Sequence, residues 1–175
     1  MAHKKLEFAM PASEAVVFDA FHYHHWRLRW DSLVRATSVQ GGAPCPFKGA
    51  VTESAGAGLL RGLSMRTVFV SYNRPHLAAA AMVGHAFPFT QWAASMRHRA
   101  TVPGQSVLVY TYTLEVGPSV VRWLIGPLVE AVFYWQTRRR FARLHRFLAR
   151  HAGEVQQWQL DQAVLSVTGQ TLGAS

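Results

Sequence analysis

The chain has 175 residues, half of them apolar and 12% aromatic, with 18 Lys+Arg against 9 Asp+Glu and a net charge of +9. That apolar content excludes a disordered chain, since enough surface can be buried to offset ordering entropy. A single cysteine, Cys45, excludes an internal disulfide framework or a cysteine-based zinc site, and no stretch reaches the ~18 uncharged apolar residues of a membrane span.

Lys4 to Met10 alternates, with Leu6, Phe8 and Met10 on one side, as in a half-buried strand. Pro11-Ala12-Ser13-Glu14 breaks it and opens a helix. Val17, Phe18 and Phe21 keep helical spacing to about His24, and a short aromatic segment, Trp26 to Trp30, follows. From Leu33 the pattern turns to strands: Val34 to Gln40, Lys48 to Ser54, Leu63 to Tyr72, His76 to Val83, Thr90 to Val102 and Ser106 to Val116. The breaks between them are rich in Gly, Pro and Asn. A long helix runs from about Val120 to His151, with Gly126-Pro127 expected to split off its first piece and Gly153 expected to stop it. Residues 154–175, small and polar, are expected to be a weakly ordered tail behind a 1–153 domain. Short turns between consecutive strands predict an antiparallel sheet that curls and needs a cover, which the long helix supplies.

This order resembles the START-like, or Bet v 1-like, superfamily, which includes polyketide cyclases and lipid-transfer domains. The carriers are Ala9-Met10-Pro11-Ala12-Ser13-Glu14-Ala15-Val16-Val17-Phe18-Asp19, then Trp30-Asp31-Ser32-Leu33-Val34, then Met65-Arg66-Thr67 to Tyr72-Asn73-Arg74-Pro75, and the Arg-rich final helix. The resemblance spans residues 4 to 151. It implies an α+β helix-grip fold: a curved antiparallel seven-stranded sheet around a long C-terminal helix, two short helices after strand 1, and a cavity between sheet and helix. It implies no catalytic residue, because the superfamily has no universal catalytic set.

Alternation names the cavity wall independently. Glu115 belongs in water, so Leu108, Tyr110, Tyr112 and Leu114 point inward. Arg97 and Arg99 mark the outside of their strand, leaving Trp92, Ala94, Met96 and His98 inside. Arg66 likewise leaves Leu63, Met65, Thr67 and Phe69 inside. The candidate cavity residues are Trp30, Met65, Thr67, Phe69, Phe89, Trp92, Met96, His98, Tyr110, Tyr112, Leu128 and Phe133. They form an apolar wall with sparse polar anchors, as small-molecule sites have; equally, they could simply fill a core. The expected function is binding of an apolar or amphipathic small molecule such as a lipid, quinone or polyketide. A cyclase or dehydratase using the same cavity is one alternative, with His98, Tyr110, Tyr112 and Glu53 as possible acids or bases; an interaction protein acting through the Arg-rich final helix on membrane or RNA is the other.

On the final helix, Val121, Leu124, Ile125, Leu128, Val132 and Trp135 form one stripe that continues as Arg139, Arg143, Arg146 and Arg150. The second half buries Thr137, Phe141, Leu144 and Leu148 instead. The apolar start is expected to be covered by loops that include Phe87-Pro88-Phe89, to pair two copies of the chain, or to insert in an anionic membrane with the arginines on headgroups. Nucleic acid is not the expected partner, because most aromatics fall on inferred inner faces rather than beside the arginines. His22-Tyr23-His24-His25 has only Asp19 close by as a further acidic or cysteine ligand, so no metal is expected. Gly56 to Gly62 precedes a strand, not a helix, so it is a loop with Leu59 and Leu60 at its tip rather than a phosphate cradle, and no cofactor is expected. Cys45, between two prolines, has no base to activate it. The start, Met1 to Phe8, lacks a signal-peptide core, and a cytoplasmic protein is expected.

Overall fold

The computed structural model describes residues 1–56, 64–117 and 119–172. Seven strands form one antiparallel sheet in the order β1-β7-β6-β5-β4-β3-β2. They are β1 (Ala2–Met10), β2 (Val34–Val39), β3 (Val51–Gly56), β4 (Ser64–Asn73), β5 (Leu77–Met82), β6 (Phe89–Ala100) and β7 (Ser106–Val116). Six of them follow one another as a meander. The first strand instead pairs with the last, from Ala2↔Leu114 to Met10↔Ser106. Two short helices, α1 (Glu14–His22) and α2 (His24–Trp30), carry the chain from the β1 edge to the β2 edge. The strand predicted with the cleanest alternation, Ser106 to Val116, has the predicted limits. The others shift by one to three residues at their ends.

The α1 helix starts because Ser13 caps it: the residue is extended (φ −62°, ψ 155°), and its Oγ accepts from the Val16 N–H. Val16, Val17, Phe18, Ala20 and Phe21 bury the face turned to the sheet. A buried Ser106 hydroxyl donates to the Ala12 carbonyl at 2.8 Å, tying the start of α1 to β7. Register shifts at Phe69/Ser71 in β4 and Phe89/Gln91 in β6 add local twist, which curls the sheet. The β4 shift also turns both Phe69 and Tyr72 inward, where they pack on Phe18.

The third helix, α3 (Ser119–Leu172), is continuous. Pro127 stands inside it and does not split it. Proline's fixed φ is itself helical, so the cost is one missing donor and local crowding, and Gly126 before it carries no Cβ. Gly153 does not stop the helix either. It lacks the positive φ of a helix-ending glycine, and buried contacts draw the chain onward. Val155 is fully buried, and the Trp158 ring meets Tyr23 edge-on at 4.5 Å. Gln159 donates to the Ala15 carbonyl at 3.1 Å and to the Asp19 carboxylate. The helix therefore runs through the expected 153/154 boundary, and Trp158 and Gln159, from the segment expected to be a weakly ordered tail, pack on the residues of α1 and its α2 junction. Those contacts outweigh the ~1 kcal/mol penalty of a helical glycine.

The middle of α3 lies on the sheet through Thr137, Phe141, Leu144 and Leu148, the predicted face. Phe141 anchors it, with ring centroids 4.7 Å from Phe8, 5.1 Å from Tyr110 and 6.0 Å from Phe21. Among the described residues, no helix is long and apolar enough to cross a membrane.

Candidate functional site

Where α3 leaves the sheet, toward its N-terminal end, a cavity of ≈ 520 Å³ opens between helix and strands. Its sheet wall comes from Thr52 and Ser54 of β3, Met65, Thr67 and Phe69 of β4, Ala78 and Ala80 of β5, Trp92, Ala94 and Met96 of β6, and Tyr110 of β7. Its roof comes from Leu128, Val129, Val132, Phe133, Gln136, Thr137 and Arg140 of α3. Phe21, His22 and Arg27 close one side; Phe87, Pro88 and Phe89 form a lip. The space exists because β5 is nearly all alanine on both faces. Ala80 pairs with Phe69, and Ala78 with Tyr72, so no large side chain enters from that strand.

Nine of the twelve predicted cavity residues line it: Met65, Thr67, Phe69, Phe89, Trp92, Met96, Tyr110, Leu128 and Phe133. Three do not. Trp30 is buried in the α1–α2 corner, where its indole N–H donates to the Ala20 carbonyl at 2.9 Å. His98 lies on the predicted inner face of β6, but α1 covers the sheet there, and its ring meets Phe18 at 5.4 Å. Tyr112 is buried under Phe133, at 4.8 Å between rings. Alternation identifies which side of a strand is inward; it does not say which inward positions a helix seals. Leu63, Leu59 and Leu60 lie outside the described residues.

Few of the wall's polar groups are paired within it, and the buried Trp92 indole N–H has no partner among the described residues. Thr52 and Thr67 hydroxyls bond across strands at 2.8 Å. His22 turns inward, its Nδ1–H donating to the Phe18 carbonyl at 2.9 Å, and burial drops its pKa to about 3, so it is neutral. Burial pushes the Tyr110 hydroxyl up to about 12. His24 and His25 sit on the outer side, with His25 against Trp26 and Trp158. Among the described residues no group of three or more metal-ligating side chains is gathered.

One charged group was not foreseen. Asp31, with a side chain 0% exposed, sits between Arg27 and Arg140. Its Oδ2 accepts from Arg27 Nε at 3.1 Å and from Arg140 Nε at 3.0 Å, while Oδ1 accepts from the Leu33 N–H at 3.3 Å. Burial alone would raise the carboxyl pKa. The two guanidiniums overcome that and hold it below the usual carboxylate range. Both guanidiniums also lie over the Phe21 ring, at 5.1 and 4.8 Å. A signal for this triad was present in the sequence. Arg27 and Asp31 are one helical turn apart, and Arg140 falls three after Thr137 and four before Leu144, on the inner face of α3 rather than with its arginine stripe.

That stripe faces out. Arg139, Arg146 and Arg150 are exposed and Arg143 is half-buried. Arg139 stacks over Trp135 at 5.1 Å. Ahead of it, Trp123, Leu124 and Leu128 are 83, 72 and 65% exposed. The lip of Phe87–Phe89 thus leaves the apolar start of α3 largely uncovered.

A curved antiparallel sheet gripping a long C-terminal helix, with two short helices after the first strand and a cavity under the helix, is the START-like or Bet v 1-like helix-grip fold. No protein-family model matches the sequence, and no curated protein matches it. Solved structures do. The chain is similar to the Bacillus cereus protein XoxI (TM-score 0.64, 14% identity, 86% of this chain and 97% of that one). It is also similar to a START superfamily protein from Mycobacterium smegmatis (0.63, 13%, 89% and 98%). A third likeness is to norcoclaurine synthase from Thalictrum flavum (0.61, 12%, 86% and 87%). At these identities the likeness carries the fold and not the activity. A point mutant of that synthase has been solved with a transition-state analogue.

Proposed function

We propose that this protein binds an apolar or amphipathic small molecule in the cavity between sheet and α3. The observation that carries this is a ≈ 520 Å³ space with a wall of Met, Phe, Trp and Ala and few polar anchors, within the size range of small-molecule sites. At about 30 Å³ per water-sized group, it accommodates roughly 17 such groups, which suits a medium-length acyl chain or a few fused rings. Burial of apolar ligand surface, at ~25 cal/mol per Å², supplies most of the affinity. The transition-state analogue held by a norcoclaurine synthase point mutant of the same fold supports the assignment by analogy of fold alone.

A cyclase or dehydratase in the same cavity is the second reading, supported by the norcoclaurine synthase likeness and by the charged group beside Tyr110. Catalysis near neutrality needs a group that exchanges protons there. In this wall His22 stays neutral and Tyr110 stays protonated, and behind it Asp31 stays ionised between two arginines. That distribution favours holding a ligand over transforming it. The deciding experiment is native mass spectrometry of the full chain after gentle purification, followed by titration with fatty acid, sterol, quinone and polyketide probes. Co-purification or uptake of one of them is expected. Uptake of none rejects the cavity as a binding site, and turnover of a polyketide probe makes the protein an enzyme.

The exposed start of α3 suits an anionic bilayer better than a second copy. Leu128 and Val132 border both the cavity and the solvent, so an apolar ligand could pass from lipid to cavity along this stripe. The cationic turn around Arg139 and Arg143 would lie on headgroups, whereas a parallel self-pairing would set those arginines against their copies.

A further inference from the structure

We infer that the cavity selects amphipathic acids, with the ligand carboxylate docked on the guanidiniums of Arg27 and Arg140 and its hydrocarbon body against Met65, Phe69, Met96 and Phe133. This rests on the cavity being a ligand site and names the chemical class it takes.

Both arginines line the cavity. Their side chains are only 16 and 17% exposed, so their charges are largely withdrawn from water. They share a single carboxylate oxygen, Asp31 Oδ2. Two cations against one anion leave a surplus of one positive charge on an otherwise apolar wall. Nothing else there cancels it: among the described residues lining the cavity there is no Asp or Glu, and Glu53 points to the outer face. Arg27 spends only its Nε on Asp31. Its two terminal nitrogens donate to no protein atom among the described residues. A guanidinium with a free edge matches the fork of a carboxylate. Stacking on Phe21 orients both planes before any ligand arrives. The Tyr110 side chain, protonated at neutral pH, lines the same part of the wall and adds an O–H donor.

A neutral head group would leave the surplus charge uncompensated, and an alkylammonium would add to it. A site built to satisfy a charged partner discriminates against ligands that lack it more strongly than an apolar wall discriminates by shape.

The test compares decanoate, decanol and decylammonium on the full-length protein at neutral pH by isothermal titration calorimetry. Decanoate is expected to bind at least about tenfold more tightly than decanol, with decylammonium weakest. In Arg27→Gln, where Asp31 keeps Arg140, the acid-over-alcohol ratio should fall to about one. Arg27→Lys, which keeps the charge but loses the fork, should fall between. Equal binding of acid and alcohol by the unaltered protein, or a ratio that survives Arg27→Gln in a folded variant, overturns the inference while leaving the cavity as an apolar site. Binding of none of the three overturns the cavity assignment itself, and the inference with it.

Discussion

Replacing Asp31 with Asn tests the physical account of the site most severely. Asparagine keeps the size and shape, and its carbonyl can still accept from the Leu33 N–H. It removes the one negative charge held between two nearly buried guanidiniums. The side chain is 0% exposed, so water cannot take over its role. Removing one partner of a buried ionic group costs about 3–5 kcal/mol, because the remaining charges are left desolvated and repel each other. For a chain of this size each kcal/mol moves Tm by about 2–4 °C, so the midpoint should drop by roughly 6–20 °C. Urea unfolding followed by far-UV circular dichroism gives the free energy, and a thermal scan gives Tm. The repulsion should also be relieved by a second change: Asp31→Asn with Arg27→Gln should cost less than the sum of the two single changes. A loss below about 1 kcal/mol in Asp31→Asn, or strict additivity in the double variant, would show that the three side chains do not form one coupled unit.

Other outcomes follow from the same packing. His98 is 3% exposed and neither ring nitrogen has a partner among the described residues, so His98→Phe should leave stability at neutral pH unchanged or raise it by about 1 kcal/mol in chemical denaturation; a loss above ~2 kcal/mol would reveal a hidden partner. Burial lowers the pKa of His98 to about 4 and of His22 to about 3, while the unfolded chain titrates near 6.5. The unfolded state therefore binds more protons below pH 6.5, and stability should fall with pH from there to about 4, with His98 alone accounting for of order 3 kcal/mol. The fall should be shallower in His98→Phe, and identical profiles would count against this assignment. Ala80→Phe should fill the cavity, abolishing probe uptake at a stability cost of no more than about 1–3 kcal/mol; undiminished uptake would place the ligand elsewhere. Trp123→Ala with Leu124→Ala, and separately Arg139→Glu with Arg143→Glu, should each reduce flotation with anionic vesicles, and high salt should do so too. Flotation insensitive to all three would remove the bilayer from the proposal.

Much of the fold was legible from local pattern alone. The alternation of Ser106 to Val116, the Ser13 cap and the Thr137–Phe141–Leu144–Leu148 face depend on side-chain period and backbone chemistry. Each is a property of a few neighbouring residues. The antiparallel pairing of consecutive strands from β2 to β7 followed from the short turns between them, whereas the pairing of β1 with β7 did not. Where alternation was extended into a site, it was correct to the extent that a strand's inward side is a local property. Met65, Thr67, Phe69, Trp92, Met96 and Tyr110 were placed by it and do line the cavity.

Only the tertiary structure decided the rest. His98 and Trp92 share a face of one strand, yet α1 covers the first and the cavity meets the second. The helix passes Gly153 because Val155, Trp158 and Gln159 find partners on α1 and α2, contacts that span over a hundred residues of sequence. Arg140 belonged by sequence to a basic run that looked like a solvated surface; one residue's rotation around α3 puts it on Asp31, 109 positions away, while Arg139 lies over Trp135. Composition counted +9. It could not say that Arg139, Arg146 and Arg150 meet water while Arg27 and Arg140 line an apolar cavity. Burial decides what a charge can do, and burial is set by which distant elements pack together.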